Sequence, residues 1–191
     1  MQIIEGPNWQ ISLQPFPDYG KAEQTLFLSA WHARQNAYAF YSDYKVGAAV
    51  RSVQSGRIYP GCNVECSTYS ETVHAEENAI HTMISAEGPS VTFDAIAIVC
   101  IDVSLDMFVS KKEIDSDNPL SQLVMPCGRC RQVIWEHCES ERPVKIYSAM
   151  PNGLVATIDI KDLYPVPFSV RCVTTKPFAS HKNRVTVSEA L

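Results

Sequence analysis

One nearly continuous apolar run, residues 94–101, constrains the fold of this chain more than any other segment. It has the length of a strand, and a run that is apolar on both faces is typical of a strand buried in the centre of a sheet. Helical patterns precede and follow it in the chain, at residues 75–83 and 130–139. The sequence therefore predicts a sheet with a buried central strand and helices packed on its faces.

The remaining patterns complete an α/β fold. Residues 21–38 carry small and apolar residues at steps of three or four, which is typical of a helix with one buried face. Four further segments have strand composition, and these are residues 46–53, 57–65, 144–150 and 154–160. Because a strand–helix–strand crossover produces parallel neighbours, we predict a three-layer α/β/α sandwich with a mixed five-stranded sheet.

The chain divides into one central domain and two ends. Three prolines and Gly20 predict an irregular N-terminal arm over residues 1–20. Residues 21–171 form the predicted domain, and a polar segment at about 102–124 is interpreted as an insertion on its surface. Residues 172–191 form a C-terminal tail to which the sequence assigns no role.

Charge and cysteine content limit the classes of partner. A net charge of −5 disfavours long polyanionic partners, so we expect no nucleic acid polymer. The longest apolar run, residues 95–101, is too short to span a bilayer, and we expect no membrane contact. Seven cysteines are an odd number, and the start of the chain lacks a signal-peptide pattern. These features predict a reducing, cytoplasmic compartment in which thiols can bind metal.

Two short stretches carry the chemistry: His-Ala-Glu at residues 74–76 and Pro-Cys-Gly-Arg-Cys at residues 126–130. One imidazole and two thiolates are donors that zinc prefers, and three protein ligands leave its fourth tetrahedral position open to water. Both stretches stand where helices are predicted to begin, and a helix start favours thiolates. We predict one Zn²⁺ per subunit, held by His74, Cys127 and Cys130, with Glu76 as the catalytic proton carrier. The combined pattern is the signature of zinc deaminases.

Longer stretches of the chain resemble the cytidine deaminase family. They are Tyr-Ser-Asp-Tyr-Lys-Val-Gly-Ala-Ala at residues 41–49, Gly-Cys-Asn-Val-Glu at 61–65, the two zinc stretches, and Leu-Tyr-Pro-Val-Pro-Phe at 163–168. The resemblance implies hydrolytic deamination of cytidine and deoxycytidine to uridine and deoxyuridine, with release of ammonia. Zinc-activated water would attack C4 of the base while Glu76 moves the protons.

The resemblance also implies which residues bind the sugar and which complete the site. Asn63 and Glu65 would hydrogen-bond the ribose hydroxyl, and Tyr44 would lie beside the pyrimidine ring. Phe168 would reach into the site of a neighbouring subunit. The expected partners are therefore a small pyrimidine nucleoside and further copies of this chain, in a homo-oligomeric dimer or tetramer.

Three groups would face the base in the same comparison. The backbone N–H of Ala75 and the carboxylate of Glu76 would read the base edge, and the carbonyl of Met125 would face the leaving amine. Small tetrameric members of the family commonly use three cysteines and an arginine that offsets the extra charge. With His74 as the first ligand, zinc and its ligands sum to zero formal charge, so no compensating cation is required.

Two alternative functions stay open. The first is deamination of a related aminopyrimidine nucleoside, such as a blasticidin-like antibiotic or a modified nucleoside, because Tyr44 and Met125 depart from the usual family residues. The second is a polynucleotide editor or a zinc-stabilised interaction module. A net charge of −5 opposes an editor, since a strand needs an open cationic channel.

An alternative metal site is also possible on spacing alone. Four cysteines could hold a structural zinc ion, and these are Cys62, Cys66, Cys127 and Cys130. That site would leave His74 without a role. The three remaining thiols are interpreted as small buried hydrophobes, and these are Cys100, Cys138 and Cys172.

Overall fold

The computed structural model describes residues 1–100, 123–139, 142–150 and 153–168. Its strands are β1 Gln2–Gly6, β2 Trp9–Pro15, β3 Gly47–Ser52, β4 Ile58–Cys62, β5 Phe93–Val99, β6 Lys145–Ala149 and β7 Leu154–Asp159. Its helices are α1 Lys21–Gln35, α2 Ala75–Glu87, α3 Gly128–His137 and α4 Ile160–Leu163, with a 3-10 turn at Phe16–Asp18. The predicted tail lies outside the described residues, as does all of the predicted insertion except its last two positions.

The strands form one mixed sheet in the order β1-β2-β7-β6-β5-β3-β4. β5 and β6 pair in parallel, because the chain crosses over through α3 between them. The other pairs are antiparallel, and the predicted hairpin of residues 46–53 and 57–65 is confirmed by the register of Val50 opposite Tyr59. β5 lies inside the sheet between β3 and β6, as its apolar sequence predicts.

Helices cover both faces of this sheet, which confirms the three-layer α/β/α sandwich. On β5, Ala95, Ala97 and Val99 pack with α1 against one face. Ile96 and Ile98 of the same strand pack with α2 and α3 against the other. This alternation follows from the two-residue period of a strand, so the buried apolar run supplies side chains to both cores.

Two glycines allow the helices to approach the sheet closely. A Cβ atom at Gly47 would lie 2.0 Å from the carbonyl oxygen of Ala30 in α1. A Cβ atom at Gly61 would lie 2.3 Å from the backbone nitrogen of Ala79 in α2. Any side chain at these positions would force the helix away from the sheet, and at Gly61 this would shift the helix that begins at the candidate site.

The predicted irregular arm over residues 1–20 is wrong, and so is the count of five strands. Residues 2–15 form the hairpin β1–β2, and β2 pairs with β7, so the sheet has seven strands. Pro7 lies in the turn and Pro15 ends β2, so neither proline interrupts the hairpin. Ile11 and Leu13 alternate with polar residues and enter the core. This two-residue period is that of a strand and explains why the segment joins the sheet.

The helices of the described segments are also too short or too polar to cross a membrane.

Candidate active site and metal centre

The starts of helices α2 and α3 meet at one place. His74 caps the N-terminus of α2, and Cys127 caps the N-terminus of α3. Cys130 follows in the first turn of α3 and is fully buried. The Nδ1 atom of His74 lies 3.4 Å from the Sγ atom of Cys127 and 3.2 Å from that of Cys130. The three residues that the sequence predicts as metal ligands are therefore adjacent in space, although 53 residues separate His74 from Cys127.

The spacing of these donor atoms fits a zinc ion. Zinc bonds of about 2.0 Å to nitrogen and about 2.3 Å to sulfur, at tetrahedral angles, separate the two donors by about 3.5 Å. The two nitrogen–sulfur distances are close to that value, and all three donor atoms lie within 4.8 Å of one another. Three protein donors leave one coordination position for a further ligand, as in catalytic zinc sites.

The buried thiol of Cys130 also needs a nearby cation if it is to be ionised. Burial, with the nearby Glu76 carboxylate, raises the pKa of the Cys130 thiol against the opposite effect of the helix start. A divalent cation bound between the donors supplies the positive charge that stabilises the thiolate.

The alternative four-cysteine site is not what the structure shows. Across the described ranges, His74, Cys127 and Cys130 are the only group of three or more potential ligands close enough to share an ion. Cys62 and Cys66 do not belong to it. Cys138 is buried in the core, as predicted, whereas Cys172 lies outside the described residues.

A cavity of about 320 Å³ opens beside this metal site. Its lining includes eight residues that the sequence analysis selects: Tyr44, Asn63, Glu65, His74, Ala75, Glu76, Met125 and Cys127. Phe168 is not part of the lining, and its side chain is 58% exposed. Cys130 is fully buried and is not among the lining residues. A volume of this size suits a small molecule rather than a polymer.

Glu76 occupies the first turn of α2 and lines the cavity next to the ligands. The residue is only 6% exposed, and burial raises the pKa of its carboxyl. A carboxyl whose pKa is moved toward neutrality can both accept and return a proton. Ala75 precedes it at the first helical position, where the backbone N–H has no acceptor within the helix.

Asn63 and Glu65 hold the loop that forms one wall of the cavity. The Asn63 side chain accepts a hydrogen bond from the Val46 N–H at 2.8 Å and donates one to the Tyr44 carbonyl at 2.9 Å. The Glu65 carboxylate accepts from the N–H groups of Tyr41 and Ser42 and from the Ser42 hydroxyl.

These loop contacts were not anticipated from the sequence, and they leave both side chains able to bind a ligand. The hydrogen bond from the Ser42 hydroxyl is the main cause that lowers the pKa of the Glu65 carboxyl. Glu65 therefore stays ionised and acts as a hydrogen-bond acceptor. Because an ionised carboxylate accepts about four hydrogen bonds, Glu65 retains capacity for a ligand hydroxyl. The amide of Asn63 likewise retains one N–H and one lone pair.

The cavity lining also contains residues that sequence reasoning missed. They are Ser42, Val46, Thr72, Ile98, Cys100 and Val124. Cys100, which the sequence predicts to be a buried hydrophobe, is buried, but its thiol also contacts the Tyr44 hydroxyl. It directly follows β5, and the end of a buried strand in an α/β sheet is where binding residues collect, so its position could have identified it.

Two hydrogen bonds fix the segment that carries Met125. The Ser148 hydroxyl donates to the carbonyl of Val124, and the Arg131 Nε donates to the carbonyl of Pro126 at 2.8 Å. The Met125 backbone is thus held from both sides at the edge of the cavity.

Comparisons with known proteins identify the family of this chain. Residues 21–144 match the family model described as the cytidine and deoxycytidylate deaminase zinc-binding region. A cytidine deaminase from Sporosarcina psychrophila is 36% identical over 146 residues, which are 76% of this chain and 90% of that protein. The matched family region begins at residue 21, so the hairpin β1–β2 precedes it.

The solved structures that resemble this chain are also cytidine deaminases. The crystal structure of cytidine deaminase from Mycobacterium tuberculosis is 30% identical with a TM-score of 0.55, and the match covers 78% of this chain and 98% of that one. A cytidine deaminase from Burkholderia pseudomallei, also 30% identical, gives a TM-score of 0.57 over 75% of this chain and 97% of its own. Because the family model matches residues 21–144 and a cytidine deaminase is 36% identical over 76% of this chain, the chain belongs to the cytidine and deoxycytidylate deaminase zinc-binding family.

Proposed function

We propose that this protein hydrolyses the exocyclic amine of cytidine and deoxycytidine, releasing uridine or deoxyuridine and ammonia. The observation that carries the proposal is the His74–Cys127–Cys130 group beside a nucleoside-sized cavity that also contains Glu76. The related proteins named cytidine deaminase support the choice of substrate. A cavity of limited volume and a net charge of −5 favour a free nucleoside over a nucleic acid polymer.

His74, Cys127 and Cys130 would hold a zinc ion, which would lower the pKa of water toward neutrality and so supply a nucleophile at neutral pH. Glu76 accepts a proton from the attacking water and delivers it to N3 of the base as the new bond forms at C4. Glu76 then assists proton transfer to the amine, the bond from C4 to the amine nitrogen breaks, and ammonia leaves. One water is consumed, and C4 becomes a carbonyl carbon.

The other cavity residues position the nucleoside in this proposal. The Ala75 N–H and the Met125 carbonyl face the base edge and the departing amine. Asn63 and Glu65 hydrogen-bond the sugar while they hold the loop of Tyr44 in place. Loss of the sugar would remove the hydrogen bonds that the remaining N–H of Asn63 and the remaining lone pair of Glu65 make to the substrate.

A substrate panel tests the function. Zinc-loaded protein is expected to remove the ultraviolet band of cytidine and of deoxycytidine, and its kcat/KM for free cytosine should be at least about 10³-fold lower. The same protein stripped of zinc is the control. No change in the cytidine band would defeat the proposal, and turnover of only a modified or antibiotic nucleoside would replace it with the alternative substrate class.

We also propose that the protein is a homo-oligomer of the cytoplasm. Phe168 is exposed and lies outside the cavity of its own chain. Its carbonyl accepts a hydrogen bond from Gln132 on α3 at 3.2 Å, and Gln132 accepts one from the Tyr164 hydroxyl at 3.0 Å. The exposed thiol of Cys127 must stay reduced to bind zinc, which favours a reducing compartment.

Replacing Phe168 with alanine tests the role of this residue in a neighbouring site. Because an aromatic ring stacked on a base contributes about 1–3 kcal/mol, Phe168→Ala should raise KM for cytidine by about tenfold. Val166→Ala, another exposed apolar residue of the same segment, should leave KM unchanged. Sedimentation velocity gives the subunit number, and a monomer with unchanged KM after Phe168→Ala would contradict the proposed oligomeric site.

A further inference from the structure

An ion pair joins the two helix starts that hold the metal ligands. The Arg129 Nη2 atom in the first turn of α3 lies 2.9 Å from the Glu77 Oε1 atom in the first turn of α2. Glu77 is three residues after His74, and Arg129 lies between Cys127 and Cys130 in the chain. The ion pair therefore links the helix start that carries the His74 imidazole to the helix start that carries the two cysteine sulfurs.

Burial makes Glu77 dependent on this partner. Its side chain is 11% exposed, and its second carboxylate oxygen is buried without a hydrogen-bond partner in the described part of the chain. The Arg129 guanidinium, 49% exposed, keeps contact with solvent. A carboxylate in that position loses its main stabilisation if Arg129 is removed, because a buried charge without a partner is strongly unfavourable.

Neither local helix electrostatics nor the charge of the metal site explains Arg129. A cation in the first turn of a helix is opposed by the helix dipole. Zinc with one neutral imidazole and two thiolates has no net charge, so the site needs no arginine to balance it. The ion pair with Glu77 is the contact that accounts for a cation at this position.

We propose that Glu77 and Arg129 are a positioning pair for the metal site. The pair fixes the starts of α2 and α3 at the separation where His74 Nδ1 lies within 3.4 Å of both sulfurs. It acts on metal retention, touches neither the metal nor the nucleoside, and does not depend on which nucleoside is the substrate.

Zinc affinity tests this role. Competition of the holoprotein with a chromophoric chelator should show about 10- to 100-fold weaker zinc binding for Glu77→Gln and for Arg129→Leu, the range typical of residues that support metal ligands. The double variant should be no weaker than the weaker single variant, because one interaction is lost only once. Arg129→Lys keeps the positive charge but lacks the planar guanidinium group with its paired N–H donors, and it should give an intermediate zinc affinity.

A second ion pair of equal length provides the matched control. Arg51 on β3 and Asp94 on β5 also approach to 2.9 Å, and neither lies on the helices that carry the ligands. Arg51→Leu should leave zinc affinity unchanged. Thermal unfolding of the zinc-free variants is measured in parallel, since a purely stabilising pair would lower Tm and leave zinc affinity at the wild-type value.

Zinc affinity within twofold of wild type in both Glu77→Gln and Arg129→Leu would overturn the proposal, as would an equal loss in Arg51→Leu. If Arg129→Leu fails to fold, Glu77→Gln decides the question, because glutamine preserves the shape of the side chain.

Discussion

Glu76→Gln is expected to lower kcat for cytidine by about 10³- to 10⁴-fold, the largest effect of a single substitution that keeps the metal. Glutamine has the size of glutamate and still forms hydrogen bonds, but it cannot carry a proton between water, N3 and the amine. Since Glu76 is 6% exposed and faces the cavity, no bulk water can easily replace it as the proton carrier. The measurement is steady-state turnover of zinc-loaded protein.

Two controls separate loss of proton transfer from loss of the site. Zinc content of Glu76→Gln should remain at one ion per chain, because Glu76 is not part of the group that could hold the ion. Glu71→Gln, which removes the charge of an exposed glutamate five residues earlier, should leave kcat unchanged. Full activity in Glu76→Gln would show that another group moves the protons.

Cys130→Ala is expected to abolish both zinc binding and turnover. Cys130 is the fully buried member of the proposed ligand group, and its sulfur is 3.2 Å from the His74 nitrogen. Structural zinc sites with four ligands bind with about 10–16 kcal/mol, or roughly 3 kcal/mol per ligand, so loss of one should weaken binding by at least about 10²-fold. Elemental analysis after dialysis, together with the cytidine assay, measures the two consequences.

Cys138→Ala is the matched control for that variant. Cys138 is also a buried cysteine, and it lies at the other end of the same helix, away from the metal group. It should retain one zinc ion per chain and normal kcat, with at most a small loss of stability from the smaller side chain. Equal zinc loss in Cys138→Ala would mean that the helix, and not the ligand, is what the substitution disturbs.

Most of the central sheet was predictable because burial imposes a clear period on the sequence. The apolar run of residues 94–101 appears as β5, Phe93–Val99, with its side chains divided between two cores. Helix α1 ends at Gln35, three residues before the predicted end, because the Asn36 N–H bonds the carbonyls of Ala33 and Arg34. The N-terminal hairpin is hard to predict because its prolines are typical of irregular chain, although Ile11 and Leu13 alternate with polar residues as in a strand.

The metal site was predictable for a chemical reason. The ligand types are those that zinc requires, and their positions at helix starts explain how a short sequence motif fixes a geometry. Contacts between distant segments were not predictable in the same way. The loop held by Asn63 and Glu65 depends on tertiary packing, as does the contact between Cys100 and Tyr44. Arg129 is intermediate: a cation in the first turn of a helix is opposed by the helix dipole, which indicates a partner, and the structure identifies that partner as Glu77.

X-ray absorption at the zinc K-edge of the purified protein tests the central claim most directly. We expect one zinc ion per chain with two sulfur neighbours at about 2.3 Å and two lighter neighbours at about 2.0–2.1 Å, one from His74 and one from solvent. A shell of four sulfurs, or the absence of bound zinc from carefully purified protein, would contradict the account.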